Sequence, residues 1–221
     1  MAAGKKTADE GRPPVRLYLV AEATGPAPVR PEQLASVIEV ADIAAVLLRI
    51  GFAAEREMIA TVKQFAPTVQ AAGAALLVAD YPDIVARSGA DGAHLPGIAD
   101  LIAALPALKP TRIAGAGGLR SRHDAMLAAE AGADYVMFGE PGPEGRRPAF
   151  ETVVERVEWW AELFESPCVV YAASLEEIAP LRDAGADFIA LGAWIFADAR
   201  GAAAVVRDVA ACLHQSAEVP A

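Results

Sequence analysis

The chain has little with which to build disulfides, metal clusters or a basic surface. Its 221 residues hold two cysteines and three histidines, and 19 lysines and arginines face 29 aspartates and glutamates for a formal net charge of −10. Cys168 lies in the apolar run PCVVYA and Cys212 in a late helical stretch. With no CxxC and no Cys/His cluster, both read as small core residues in a reducing compartment. The acidity excludes general binding to nucleic acid or to an anionic membrane, because phosphate backbones select basic surfaces. Long hydrophobic runs are also missing. The apolar stretches are rich in alanine and broken by Glu39, Asp42 and Arg49, short of the roughly 20 residues that span a bilayer. The opening MAAGKKTADEGRPP lacks the apolar segment of a secretory signal. The expectation is a cytoplasmic protein with a disordered tail at 1–14, another tail at 215–221, and a single domain over 15–214.

What is abundant is packable. Hydrophobic residues make up 54% of the chain and charged ones 22%, and the length suits one sizeable core. Short apolar runs bounded by turn residues alternate with segments of helical period. Strands are expected at Arg16–Val20, Ile43–Leu48, Ala74–Ala79, Asp91–Leu95, Arg112–Gly115, Asp134–Phe138, Cys168–Tyr171 and Asp187–Leu191. Helices are expected at Pro31–Ala41, Glu55–Ala72, Pro82–Ser88, Ile98–Leu105, Ser121–Ala131, Phe150–Phe164, Leu175–Ala184 and Gly201–Leu213. Strict alternation implies a parallel sheet buried on both faces, and eight units predict a (β/α)8 TIM barrel of the α/β class.

A Gly-Ala-Asp motif recurs in SGADGAHL, AGADYVMFG and AGADFIALG. Gly89, Gly132 and Gly185 read as left-handed helix stops. Asp91, Asp134 and Asp187 then open the next strand as acceptors of backbone N–H bonds, at the end of the barrel away from the chemistry.

In such barrels function sits on the loops after the C-terminal ends of the strands. Five arginines fall there: Arg49, Arg120, Arg122, Arg146 and Arg147. Guanidinium groups bind phosphates or carboxylates through paired hydrogen bonds, so their convergence would suit an anionic ligand; the alternative is solvated loop charge, with Arg49, directly at a strand end, the better candidate. In GAGGLRSRHD, Gly117 and Gly118 either bring N–H groups to an anion or form a simple tight turn, and Ser121 is a plausible N-cap. Asp80 ends the third strand and either holds Mg²⁺, which commonly bridges to substrate phosphates, or caps the next helix through Asp83. His94 reads as an interior residue. Glu140 is a base, an arginine partner or a loop residue. Ala173 and Gly192 lie at the seventh and eighth strand ends. Trp159-Trp160 reads as barrel packing or as the subunit contact of a homo-oligomer.

The succession RLYLVA, VLLRIG, LLVADYPDIV, GADGAHL, GADYVMFG and GADFIALGAWIF resembles the thiamine phosphate synthase family and its thiazole tautomerase relatives, from about Arg16 to Leu213. The resemblance implies a (β/α)8 barrel that couples a hydroxymethylpyrimidine pyrophosphate to a thiazole phosphate with Mg²⁺. It implies Arg49 as a pyrophosphate contact, Asp80 as the metal ligand and His94 as a marker of the fourth strand end. The chain departs from the family pattern at Leu47, Gly51, Ala79, Pro96-Gly97 and Gly117-Gly118. Arg120 is nearest to where the tautomerases place a catalytic histidine. Arg146 or Arg147 stands in for a phosphate-directed lysine, and Ala172-Ala173 replaces a phosphate-binding Gly-Gly. If those two positions need positive φ, each alanine costs roughly 1 kcal/mol or more. The departures leave two expectations: a synthase, or a barrel that binds a phosphorylated metabolite without that reaction.

Overall fold

Apolar runs of four to seven residues, each buried on both faces, form the strands. In the computed structural model, which describes residues 13–142 and 144–214, they are β1 (Arg16–Glu22), β2 (Ile43–Arg49), β3 (Ala75–Ala79), β4 (Gly92–Leu95), β5 (Ile113–Ala116), β6 (Tyr135–Phe138), β7 (Cys168–Ala172) and β8 (Phe188–Leu191). Every strand pairs in parallel with the next, and β8 pairs with β1 to close an eight-stranded barrel. The helices are α1 (Pro31–Ile38), α2 (Glu55–Ala71), α3 (Val85–Ser88), α4 (Ile98–Leu108), α5 (Arg122–Ala131), α6 (Phe150–Leu163), α7 (Ile178–Asp183), α8 (Ala193–Ala197) and α9 (Ala202–His214). This is the single-domain (β/α)8 barrel expected from the sequence. The tails expected at its ends lie outside the described residues, apart from 13 and 14.

Alternation along each strand separates two layers. Leu17, Leu19, Leu48, Val78 and Val170 face outward onto the helices, where Leu34, Val62, Leu101 and Trp160 cover them. Tyr18, Val20, Leu47, Leu77, Tyr135, Met137, Val169 and Tyr171 fill the barrel interior. Three tyrosines inside the barrel bring hydroxyls into a space that strand composition alone would leave apolar.

Element ends shift by a residue or a few. The helix expected to Ala41 stops at Ile38, and those expected to begin at Pro82 and Leu175 open with 3-10 turns, Pro82–Ile84 and Leu175–Glu177. Helix α8 was not expected: AWIFA is apolar enough to pass for the tail of β8, but it turns helical directly after Gly192.

The repeated motif does what its glycines imply, and its aspartates do more. Gly89, Gly132 and Gly185 have φ of 80°, 106° and 96°. Each aspartate then makes a two-way clamp on the preceding strand. Asp91 donates its N–H to the Leu76 carbonyl and its carboxylate accepts the Leu76 N–H at 2.7 Å. Asp134 does the same to Ala114 and Asp187 to Cys168, with carboxylate bonds of 2.7 and 2.8 Å. In the corresponding place before β2, Asp42 instead takes a paired ion bridge from Arg16 at 2.7 and 2.8 Å.

Candidate active site

Period-two alternation turns Tyr18 of β1, His94 of β4 and Tyr135 of β6 toward the barrel axis. The Tyr18 and Tyr135 hydroxyls are 2.8 Å apart, and the Tyr135 hydroxyl is 2.9 Å from His94 Nδ1. The His94 and Tyr135 rings stack at 5.7 Å. They have room because β5 carries glycine: a Cβ on Gly115 would collide with the Tyr135 ring, and one on Gly117 with Glu140 and His94. The glycines of GAGG thus serve buried side chains as well as the turn.

Glu140, the first residue after Gly139 at the end of β6, folds back over this group. Its Oε1 accepts the Gly118 N–H at 2.7 Å, and its Oε2 lies 3.3 Å from Arg49 and 3.5 Å from His94 Nε2. Burial pushes the Glu140 carboxyl up, but His94, the Gly118 N–H and Arg49 together outweigh it and hold it below the usual carboxylate range. The Tyr18 hydroxyl, the Tyr135 hydroxyl and His94 Nδ1 form a buried hydrogen-bonded chain, and the far edge of the His94 ring faces the Glu140 carboxylate. Burial raises both tyrosines, leaving them proton donors at neutral pH. His94 is 4% exposed. Its Nε2 falls outside hydrogen-bond geometry to Glu140 and is the one buried side-chain nitrogen or oxygen without a hydrogen-bond partner among the described residues.

Arg49, at the end of β2, lies between Glu140 and Glu22, the latter at 3.7 Å, and is about one-third exposed. Asp80 follows β3 with φ of 67°, the one non-glycine residue at positive φ among those described. This left-handed turn directs the chain from the strand into Tyr81 and the 3-10 turn, and no side chain caps that turn. The helix-capping alternative for Asp80 is therefore not what the structure shows. Burial raises the Asp80 carboxyl, His94 and Arg49 oppose this, and Glu140 and Asp100 reinforce it. A carboxylate exposed at a strand end fits a cation. One carboxylate is enough for Mg²⁺, which keeps waters and shares a ligand phosphate. Among the described residues no group of three or more His, Cys, Asp or Glu converges on a metal position.

The other arginines separate. Arg147 is tied down: it donates to the carbonyls of Gly139 and Tyr171 at 2.8 and 2.9 Å and pairs with both Glu177 oxygens at 3.0 and 3.1 Å. Arg146 is exposed and pairs with Glu144. Arg122 lies over the Trp159 ring at 4.9 Å. Arg120 is exposed, its N–H bonded to the Asp124 carboxylate, and Ser121 is the N-cap of α5, accepting the Asp124 N–H at 3.1 Å. Of the backbone donors expected for a ligand, Gly118 serves Glu140, and Ala173 gives its N–H to Glu177 Oε2 at 2.8 Å. Neither Ala172 nor Ala173 has positive φ, so the alanine strain anticipated there is absent. Gly192 is required by Tyr171, whose ring and hydroxyl leave no space for a Cβ. Tyr18 and Tyr135 were missed as site residues, although alternation from His94 and the YVMF run could have found them. Glu177 carried no such signal.

At the opposite end of the barrel a depression of about 480 Å³ is lined by Gln70, Asp91, Thr111 and Arg112. Its polar groups hold strands: Gln70 bonds Gly89 and Asp91, and Arg112 bonds Ala90. The chemistry-bearing side chains converge at the other mouth.

The profile of the family described as thiamine monophosphate synthase matches residues 17–195. The chain belongs to this family. The thiamine-phosphate synthase of Rhodospirillum centenum is 37% identical over 201 residues, which cover 87% of this chain and 95% of that protein. That of Hyphomonas neptunium is 36% identical over 211 residues, 89% and 92% of the two chains. Among solved structures, thiamine phosphate pyrophosphorylase from Pyrococcus furiosus superposes with a TM-score of 0.72 at 21% identity, covering 90% of this chain and 95% of that one. A 3-hexulose-6-phosphate synthase superposes with a TM-score of 0.67 at 15% identity, covering 89% and 99%. The two structures show the shared barrel alone. In this member of the thiamine monophosphate synthase family, Arg49, Arg146 and Arg147 each face a carboxylate of the same chain.

Proposed function

We propose that the chain is a transferase of thiamine phosphate synthase type, joining a hydroxymethylpyrimidine pyrophosphate to a thiazole phosphate at the strand-end mouth. The observation that carries this reading is the placement of Arg49 and Asp80 on adjacent strand ends, partly open to the mouth, in a chain of this family. The bond from the pyrimidine methylene to pyrophosphate breaks, pyrophosphate leaves with the bonding pair, and the thiazole nitrogen forms the new C–N bond. Arg49 binds the departing oxygens as negative charge gathers on them, and charge so placed in a partly dry site lowers the barrier. Glu140 and Glu22 aim Arg49. Asp80 is the group to hold Mg²⁺, which supplies further charge neutralisation of pyrophosphate when bound. The two free cysteines fit a cytoplasmic setting.

One observation favours a second reading, a barrel that binds a phosphorylated metabolite without turnover: Arg49 already faces two carboxylates. Purified protein incubated with both phosphorylated precursors and Mg²⁺ is expected to yield thiamine phosphate by chromatography. Arg49→Ala and Asp80→Asn should each lose most of that product, asparagine being chosen because it tolerates the left-handed backbone. Tight binding of a precursor with no product would favour the second reading.

A further inference from the structure

At the corner between the β6 and β7 loops, a carboxylate sits where an incoming anion would find its donors. Glu177 Oε2 accepts the Ala173 N–H at 2.8 Å, and both its oxygens face the Arg147 guanidinium at 3.0 and 3.1 Å. Arg147 does not depend on Glu177 for its position. Its Nε is fixed on the Gly139 carbonyl, one terminal nitrogen is fixed on the Tyr171 carbonyl, and the guanidinium carbon lies 5.4 Å from the centre of the Tyr171 ring. Both side chains of the pair are about five-sixths buried. A fixed guanidinium and a converging backbone N–H around one planar carboxylate form an anion site by any chemical criterion. Its occupant belongs to the chain.

We propose that Glu177 is a specificity-determining residue: an internal competitor that holds this corner of the mouth against a phosphate or carboxylate group of the ligand. An anionic group can enter only by displacing Glu177, and so binds more weakly than the donors themselves would allow. The proposal rests on the reading of the mouth as the ligand face, but not on any turnover there.

The test measures inorganic phosphate binding by calorimetry and by the shift of the Ala173 amide resonance at constant ionic strength. Glu177→Ala leaves Arg147 held by its carbonyls and frees the Ala173 N–H. It should bind phosphate about tenfold tighter than the unmodified chain, the size of one charge-assisted hydrogen bond regained. Its melting temperature should recover in phosphate relative to chloride. The double variant Glu177→Ala/Arg147→Met should lose the gain. Equal phosphate affinity with and without Glu177, or a gain that survives loss of Arg147, would overturn the proposal. If Glu177→Ala does not fold in either salt, Glu177→Gln decides: it keeps the shape and removes the charge, and absence of any rise in phosphate affinity refutes the idea. Because the measurement needs no precursor and no product, its failure is separable from failure of the synthase reading.

Discussion

At the scale of single residues, Glu140 organises the mouth. It pairs with Arg49, accepts the Gly118 N–H and faces the end of the buried chain that runs from Tyr18 through Tyr135 to His94. Glu140→Gln retains an acceptor for Gly118 but removes the charge that faces Arg49 and His94. Stability at neutral pH should fall by about 1–3 kcal/mol. The pH dependence has a definite sign. The folded-state pKa of Glu140 is lowered, so its stabilisation is fully present above the unfolded carboxyl value and is lost as pH falls through the folded one. The gap between the two proteins in denaturant titrations should therefore hold from neutral pH down to the unfolded carboxyl value and narrow only as pH falls further. A gap that stays constant would mean that the charge is not what matters. Asp80 carries the opposite sign: its raised pKa makes the ionised form a cost near neutrality, recovered as pH falls through its folded value.

At the scale of elements, the aspartate clamps set where β4, β6 and β8 start. A helix ends on a left-handed glycine, one alanine follows, and the aspartate then locks onto a single residue of the strand before it. Asp134→Ala leaves the Ala114 N–H without its carboxylate and should cost about 1–2 kcal/mol, discounted because Asp134 is partly exposed. Asp134→Asn, which keeps an acceptor oxygen, should cost less, and thermal denaturation of the pair compares them. The glycines of the β5 loop show where local reading falls short. GAGG suggested either an anion-binding turn or a simple tight one, and its Gly118 N–H does bind an anion, but the anion is Glu140 from 22 residues away. A turn motif announces the donor and not which acceptor the fold will bring.

At the scale of the whole molecule, the barrel was legible because its signals repeat: buried apolar runs, helical periods and the Gly-Ala-Asp stop recur often enough that errors of a residue or two at each end do not alter the topology. The mouth was legible only in part. Arg49 and Asp80 stand out because each sits directly at the end of an apolar run. The partners of Arg147 could not be read, since Glu177 lies 30 residues on and reaches it only once two loops are packed together. Short helix α8 escaped for a different reason, its composition matching the strand before it. The clamps also give the barrel a grain. Each ties an even-numbered strand to the odd one before it, β3 with β4, β5 with β6 and β7 with β8, and the Arg16–Asp42 bridge does the same for β1 and β2. Four stapled pairs have natural seams between them. Co-expressed fragments 1–110 and 111–221 keep every staple within one piece and should reassemble into a barrel with native circular dichroism. Fragments 1–89 and 90–221 sever the Asp91 staple and should reassemble less completely.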